Sequence, residues 1–211
     1  IAAAPVSSFA CFANPDFGIC PDICIAADGP VKSVLMLSKT PVETVRSVAL
    51  DTSSLSGANM LRILLSEIYG LQPELVRAEP NPANMLELAD AALVIGDPAM
   101  QHPKDGLYVF DLAAEWRVLT GLPAVFAVWA GRGINAELAD VLKKAKAAGI
   151  ALLPEIAQEE SRRLNLPCDV CFEYLSKIMV YDMGDRERRG FELFREKVIE
   201  HGLLDDRADS R

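Results

Sequence analysis

The chain holds 211 residues, 51% hydrophobic and 24% charged, enough for one large domain or two small lobes around a real core. Its 30 acidic residues outnumber 21 basic ones for a net charge of -9, a balance that repels phosphate backbones; no nucleic-acid partner is expected, while small acids stay open as ligands through a pocket's local field. No apolar run reaches the roughly 18 residues of a membrane-crossing helix, so no membrane partner is expected, and the odd set of five cysteines makes no disulfide framework and points to a reduced, cytoplasmic setting.

Residues 1–6 read as a buried strand ending in the turn-prone pair Ser7-Ser8. The chain enters this strand with no methionine and no charged leader, so a first strand and helix are expected to be missing. Residues 14–24, with Pro15, Gly18 and Pro21, read as a loop, and residues 33–37 and 45–50 as strands. Residues 55–69 make a helix, because Met60, Leu61, Leu64, Leu65 and Ile68 fall on one stripe and Gly70 stands at the C-cap. A strand at 74–78, a short helix at 82–89 and a strand at 91–95 follow, the last stopped by Gly96-Asp97-Pro98. Then come a strand at 107–110, a helix at 113–119 and a long apolar strand at 123–130. The last third reads as helices at 135–148, 155–164, 169–178 and 185–201, with a charged tail at 205–211.

Strands alternating with helices predict an α/β fold with a largely parallel sheet. The two runs 33–37 and 123–130 bracket a self-contained segment and read as crossing strands between two lobes. The helical tail would then pack back on the first lobe. The division expected is residues 1–34 with 127–211 in one lobe, incomplete at its start, and 35–126 in the other.

Four turns are candidates for chemistry. In Asp51-Thr52-Ser53-Ser54-Leu55-Ser56-Gly57 a strand meets a helix N-terminus, where free backbone N–H groups, the helix dipole and several hydroxyls make a carboxylate or phosphate site. An ordinary N-cap needs one of those hydroxyls and is the competing reading. Gly29-Pro30-Val31-Lys32-Ser33 delivers Ser33 to the start of a strand, though taken alone a simple reversing loop is the preferred reading. Asp97 follows the end of strand 91–95, where open sheets bind ligands, or else caps the next turn. Pro5-Val6-Ser7-Ser8 is a further strand end with hydroxyls. Cys20, Cys24, Cys168 and Cys171 offer a zinc set by spacing, but Cys171 shares a helical face with Tyr174, Leu175 and Ile178, and buried thiols are the preferred reading.

Several stretches in order resemble the chorismate dehydratases of the futalosine route to menaquinone. They are Ala4-Pro5-Val6-Ser7-Ser8, Ala27-Asp28-Gly29-Pro30-Val31-Lys32-Ser33, Leu50-Asp51-Thr52-Ser53-Ser54, Ile95-Gly96-Asp97-Pro98-Ala99 and Thr120-Gly121-Leu122-Pro123. The resemblance implies a two-lobed fold like the type II periplasmic binding proteins, with a ligand cleft and a two-strand hinge. It implies a lyase that removes water from chorismate to give 3-[(1-carboxyvinyl)oxy]benzoate, with no cofactor and no metal. It further implies Ser33 as the active-site serine across the cleft from the serine loop. Ser53, Ser54, Ser56 and Gly57 would hold a substrate carboxylate, with Ser7 and Asp97 as further cleft positions and Asp97 a candidate base. Oligomeric state is left open.

This chain departs from that pattern. Leu55-Ser56-Gly57 replaces an Arg-Thr-Ser stretch, Ala124 a phenylalanine and Ala113 a glycine. The strand that carries an active-site asparagine in the family is not in these residues, so the polypeptide as it stands is expected to be inactive. A sister lyase acting on cyclic dehypoxanthine futalosine, a non-catalytic solute-binding protein, and a dehydratase-like protein for another small acid are the competing functions.

Overall fold

The computed structural model describes residues 2–51 and 55–204. In chain order the elements are β1 (Ala4–Ser7), α1 (Ser8–Phe12), β2 (Gly18–Ala27), β3 (Val34–Ser38), β4 (Ser47–Asp51), α2 (Leu55–Tyr69), β5 (Glu74–Ala78), α3 (Pro82–Leu88) and β6 (Ala91–Ile95). They continue with α4 (Asp97–Gln101), β7 (Tyr108–Asp111), α5 (Leu112–Thr120), β8 (Ala124–Gly131), α6 (Ala136–Ala151), α7 (Leu153–Leu164), α8 (Cys168–Glu173), β9 (Met179–Val180) and α9 (Asp185–Glu200). A single π-helical turn, Tyr174–Ile178, joins α8 to β9.

The strands form two sheets, ordered β1-β8-β2-β9 and β5-β4-β6-β3-β7. The expected parallel sheet is found only in β5-β4-β6, where α2 and α3 supply the crossovers. β3 runs antiparallel to both β6 and β7, and every pairing in the four-stranded sheet is antiparallel. Alternation of strands and helices predicts parallel pairing only where a helix returns the chain in the same sense, and β3 enters from the other sheet instead.

Three further expectations are corrected. The run read as a loop before Cys24 is part of β2 from Gly18 onward; Asp22 at φ 68 and a register break between Ile19 and Cys24 put a bulge beside Pro21, which disguises the strand. The runs read as crossing strands each stay in one sheet, β3 in the five-stranded and β8 in the four-stranded. The chain crosses instead through residues 28–33 and returns through α5. The Ser7-Ser8 pair opens a helix rather than a turn, because the Ser7 hydroxyl caps α1 by accepting from the Ala10 N–H at 3.3 Å.

The main core lies where α1, α5 and α9 meet. Phe12 packs on Phe191 and Phe194 at centroid distances of 4.8 and 5.4 Å, and Trp116 meets Phe194 edge-on at 5.7 Å. Edge-to-face contacts of this kind add to the area that the rings bury. α9 reaches this position because Gly190 lies against the start of β8: a Cβ there would sit 2.3 Å from the Pro123 carbonyl oxygen. The helical tail therefore returns to the middle of the molecule.

The cysteines belong to this packing. Cys11, Cys20, Cys24 and Cys171 are buried, Cys168 is exposed, and all five are free. Burial pushes the Cys11 thiol up to about 11 and the Cys24 thiol up to about 12, so neither is a thiolate near neutrality. Among the described residues no group of three or more His, Cys, Asp and Glu is arranged to hold a metal ion, and no helix is long and apolar enough to cross a membrane.

Candidate functional site

A cleft of about 200 Å³ opens between the two sheets. Ser7, Phe126 and Ala127 line it from the four-stranded sheet; Val34, Ile95 and the first turn of α2, Leu55, Ser56 and Gly57, line it from the five-stranded sheet. Ser7, Ser56 and Gly57, singled out from the sequence, are thus brought together. Ser53 and Ser54 lie outside the described residues.

The hydroxyls of the cleft are ordered in a short relay. The Phe9 N–H donates to Ser56 Oγ at 3.2 Å, and the Ser56 hydroxyl donates to Ser7 Oγ at 3.1 Å. Ser7 Oγ accepts a second bond from the Ala10 N–H, so its own proton has no acceptor among the described residues. Ser7 lines the cleft, and a chain of bonds pointing one way polarises its last member. The first N–H groups of α2 have no partner within that 15-residue helix, and its positive end faces the same space. A cleft with one polarised hydroxyl and a helix N-terminus, walled by Val34, Ile95 and Phe126, suits a carboxylate on an apolar body. Ser8 does not join in: it is fully buried and donates to the Val125 carbonyl at 2.7 Å.

Ser33 and Asp97 flank this cleft rather than line it. Val34 and Ile95 are register partners between β3 and β6, and one step further the Gly96 N–H donates to the Ser33 carbonyl at 2.7 Å. Gly96 holds φ 68 and ψ -139, a conformation closed to residues with a Cβ. Ser33 therefore sits with the five-stranded sheet and α2; Ser7 is the residue that faces the α2 turn across the cleft. Ser33 is 2% exposed, and its Oγ lies 2.8 Å from the hydroxyl of Tyr174 on the π turn.

Asp97 was a candidate base. Its Oδ2 accepts from Arg163 Nη2 at 2.7 Å, and its side chain is 44% exposed. This ion pair engages the Asp97 carboxylate and ties α4 to α7. A second tie runs beside it, from Gln101 Nε2 to the Leu164 carbonyl at 2.8 Å.

Two site residues escape the sequence reading. Asp111 accepts from the Val31 and Lys32 N–H groups at 3.1 and 2.8 Å, and from the Ala113 and Ala114 N–H groups at 3.1 and 3.2 Å. One carboxylate thus caps α5 and clamps the loop before Ser33, where Lys32 sits at φ 63. Its signal was available, since an Asp stands two residues before the helical stretch read at 113–119. Tyr174 has no such signal, because nothing in the sequence marks a π turn. Burial raises the Tyr174 phenol above its usual value; the bond with Ser33 opposes this and the Asp97 charge adds to it.

Comparison with known proteins places this site in context. A chorismate dehydratase of Thermus thermophilus is 32% identical over 214 residues, spanning 92% of this chain and 78% of that protein. The fold matches a solved protein of Archaeoglobus fulgidus with a TM-score of 0.76 at 17% identity, over 96% of this chain and 80% of the other. It also matches the alkanesulfonate-binding protein SsuA of Xanthomonas axonopodis pv. citri, solved with MOPS bound, with a TM-score of 0.55 at 11% identity over 96% and 76%. The fold is thus a two-sheet α/β fold like that of the periplasmic binding proteins. The family model described as menaquinone biosynthesis matches residues 1–200, and this chain belongs to that family.

Proposed function

We propose that the protein is a chorismate dehydratase, a hydro-lyase that converts chorismate to 3-[(1-carboxyvinyl)oxy]benzoate in the futalosine route to menaquinone. The observation that carries this reading is the cleft lined by Ser7, Ser56 and the first turn of α2, in a chain 32% identical to a protein of that name. The free thiols agree with a cytoplasmic setting.

The reaction breaks the ring C–H bond beside the hydroxyl-bearing carbon, and its electron pair becomes the third ring double bond. The C–O bond to the hydroxyl breaks, and the departing hydroxide takes up the proton removed from the ring carbon and leaves as water. No electron acceptor is required, since loss of water alone brings the ring to the aromatic level. In this reading Ser7, Ser53, Ser54, Ser56 and Gly57 hold one carboxylate. Ser33 donates a hydrogen bond to the departing oxygen as charge develops on it. Because Asp97 is engaged by Arg163, the proposed proton acceptor is the substrate's own enolpyruvyl carboxylate, and the protein's part is to position and desolvate.

The carboxylate assignment is tested with the reaction product, which carries both carboxylates and does not turn over. Ser56→Ala removes the link between the Phe9 N–H and Ser7. It is expected to weaken product binding about tenfold in a calorimetric titration. Unchanged affinity would remove Ser56 from the carboxylate site.

A further inference from the structure

We propose that Tyr174 is a positioning residue for the dehydration, its hydroxyl donating to Ser33 Oγ and thereby turning the Ser33 proton toward the leaving oxygen. This rests on the chorismate dehydratase reading.

The two hydroxyls are 2.8 Å apart, and either is able to donate. Among the described residues Ser33 Oγ has no other hydrogen-bond partner. If Ser33 donated to Tyr174, its only proton would be spent and the departing oxygen would meet a lone pair. If Tyr174 donates, the Ser33 proton is free and more acidic. A phenol is the stronger acid of the two, which favours the second orientation, and burial together with the neighbouring Asp97 charge keeps this phenol protonated.

The surroundings hold the pair from both sides. Lys32 Nζ meets Glu173 Oε1 at 3.2 Å, joining the residues just before Ser33 and Tyr174. The Asp97–Arg163 pair ties α4 to α7. Tyr174 is the first residue of the π turn, a local irregularity that is frequent at functional sites and costs helix regularity elsewhere. Ser33 comes from the loop that joins the sheets and Tyr174 from the C-terminal segment that leads into β9, so the bond forms only when the two parts are docked.

The test uses Tyr174→Phe, which keeps the ring and removes the hydroxyl, in the protein expressed from its complete reading frame. Expected are a kcat for chorismate about tenfold lower, a KM changed less than about twofold, and no further loss when Tyr174→Phe is added to Ser33→Ala. Equal kcat in Tyr174→Phe and the unaltered protein would overturn the proposal and leave the function standing. A loss confined to KM or to Tm, or the same loss with and without Ser33, would make Tyr174 a structural tie and overturn it too. Failure of the unaltered protein to consume chorismate would remove both.

Discussion

Ser33→Ala is expected to lower kcat for chorismate about 100-fold while KM stays within about twofold. The side chain is 2% exposed, and its carbonyl is fixed by the Gly96 N–H at 2.7 Å. The residue is therefore held in place, and removal of its hydroxyl moves no backbone. An interaction made to the departing oxygen strengthens only as the C–O bond breaks, so its loss falls on kcat rather than on binding. The variant leaves the Tyr174 hydroxyl without its partner, which costs about 1 kcal/mol and a Tm shift of about 2–4 °C. Steady-state kinetics beside a thermal melt separate the two effects. A kcat within threefold of the unaltered protein, as a rough limit, would take Ser33 out of the reaction.

Asp111→Ala is expected to cost about 3 kcal/mol and lower Tm by about 6–12 °C. Two contributions add. The α5 cap is lost, worth about 1 kcal/mol, and the Val31 and Lys32 N–H groups lose a charged acceptor, worth about 2 kcal/mol more. The second matters for function, because Lys32 at φ 63 precedes Ser33 and the loop relaxes once its clamp is gone. A displaced Ser33 then lowers kcat about tenfold as well. Asp111→Asn, with one acceptor oxygen in place of two, is expected to fall between. Thermal unfolding followed by circular dichroism reads the first effect and turnover the second; a Tm within about 2 °C would mean the loop is held by other means.

Periodic elements were legible in the sequence and exceptions to periodicity were not. α2 was read at the bounds it has, Leu55–Tyr69, because its apolar stripe and Gly70 agree. β6 was equally clear, since Ala91–Ile95 is apolar throughout and ends at a glycine with φ 68. The first half of β2 was hidden by Pro21 and by the positive φ of Asp22, both loop signals that here mark a bulge. Sheet direction was misjudged because pairing between sequence-distant strands leaves no local trace, as with β3 between β6 and β7.

The site divides the same way. Ser7 and Ser56 were singled out through hydroxyls at strand and helix ends, a pattern with a physical cause, and the structure brings them to one cleft. The Asp97 carboxylate faces Arg163, a partner 66 residues away that no motif announces. Tyr174 looked like one more residue on an apolar helical face. Its hydroxyl meets Ser33 because a π turn stands where a regular helix was expected.

The most direct measurement is a proton NMR time course of chorismate with the protein expressed from its complete reading frame. The ring and vinyl signals of chorismate should give way to four aromatic protons and a retained vinyl pair, with one water lost per molecule confirmed by mass. Chorismate that remains unchanged while binding in the cleft would contradict the dehydratase reading and leave a solute-binding protein in its place.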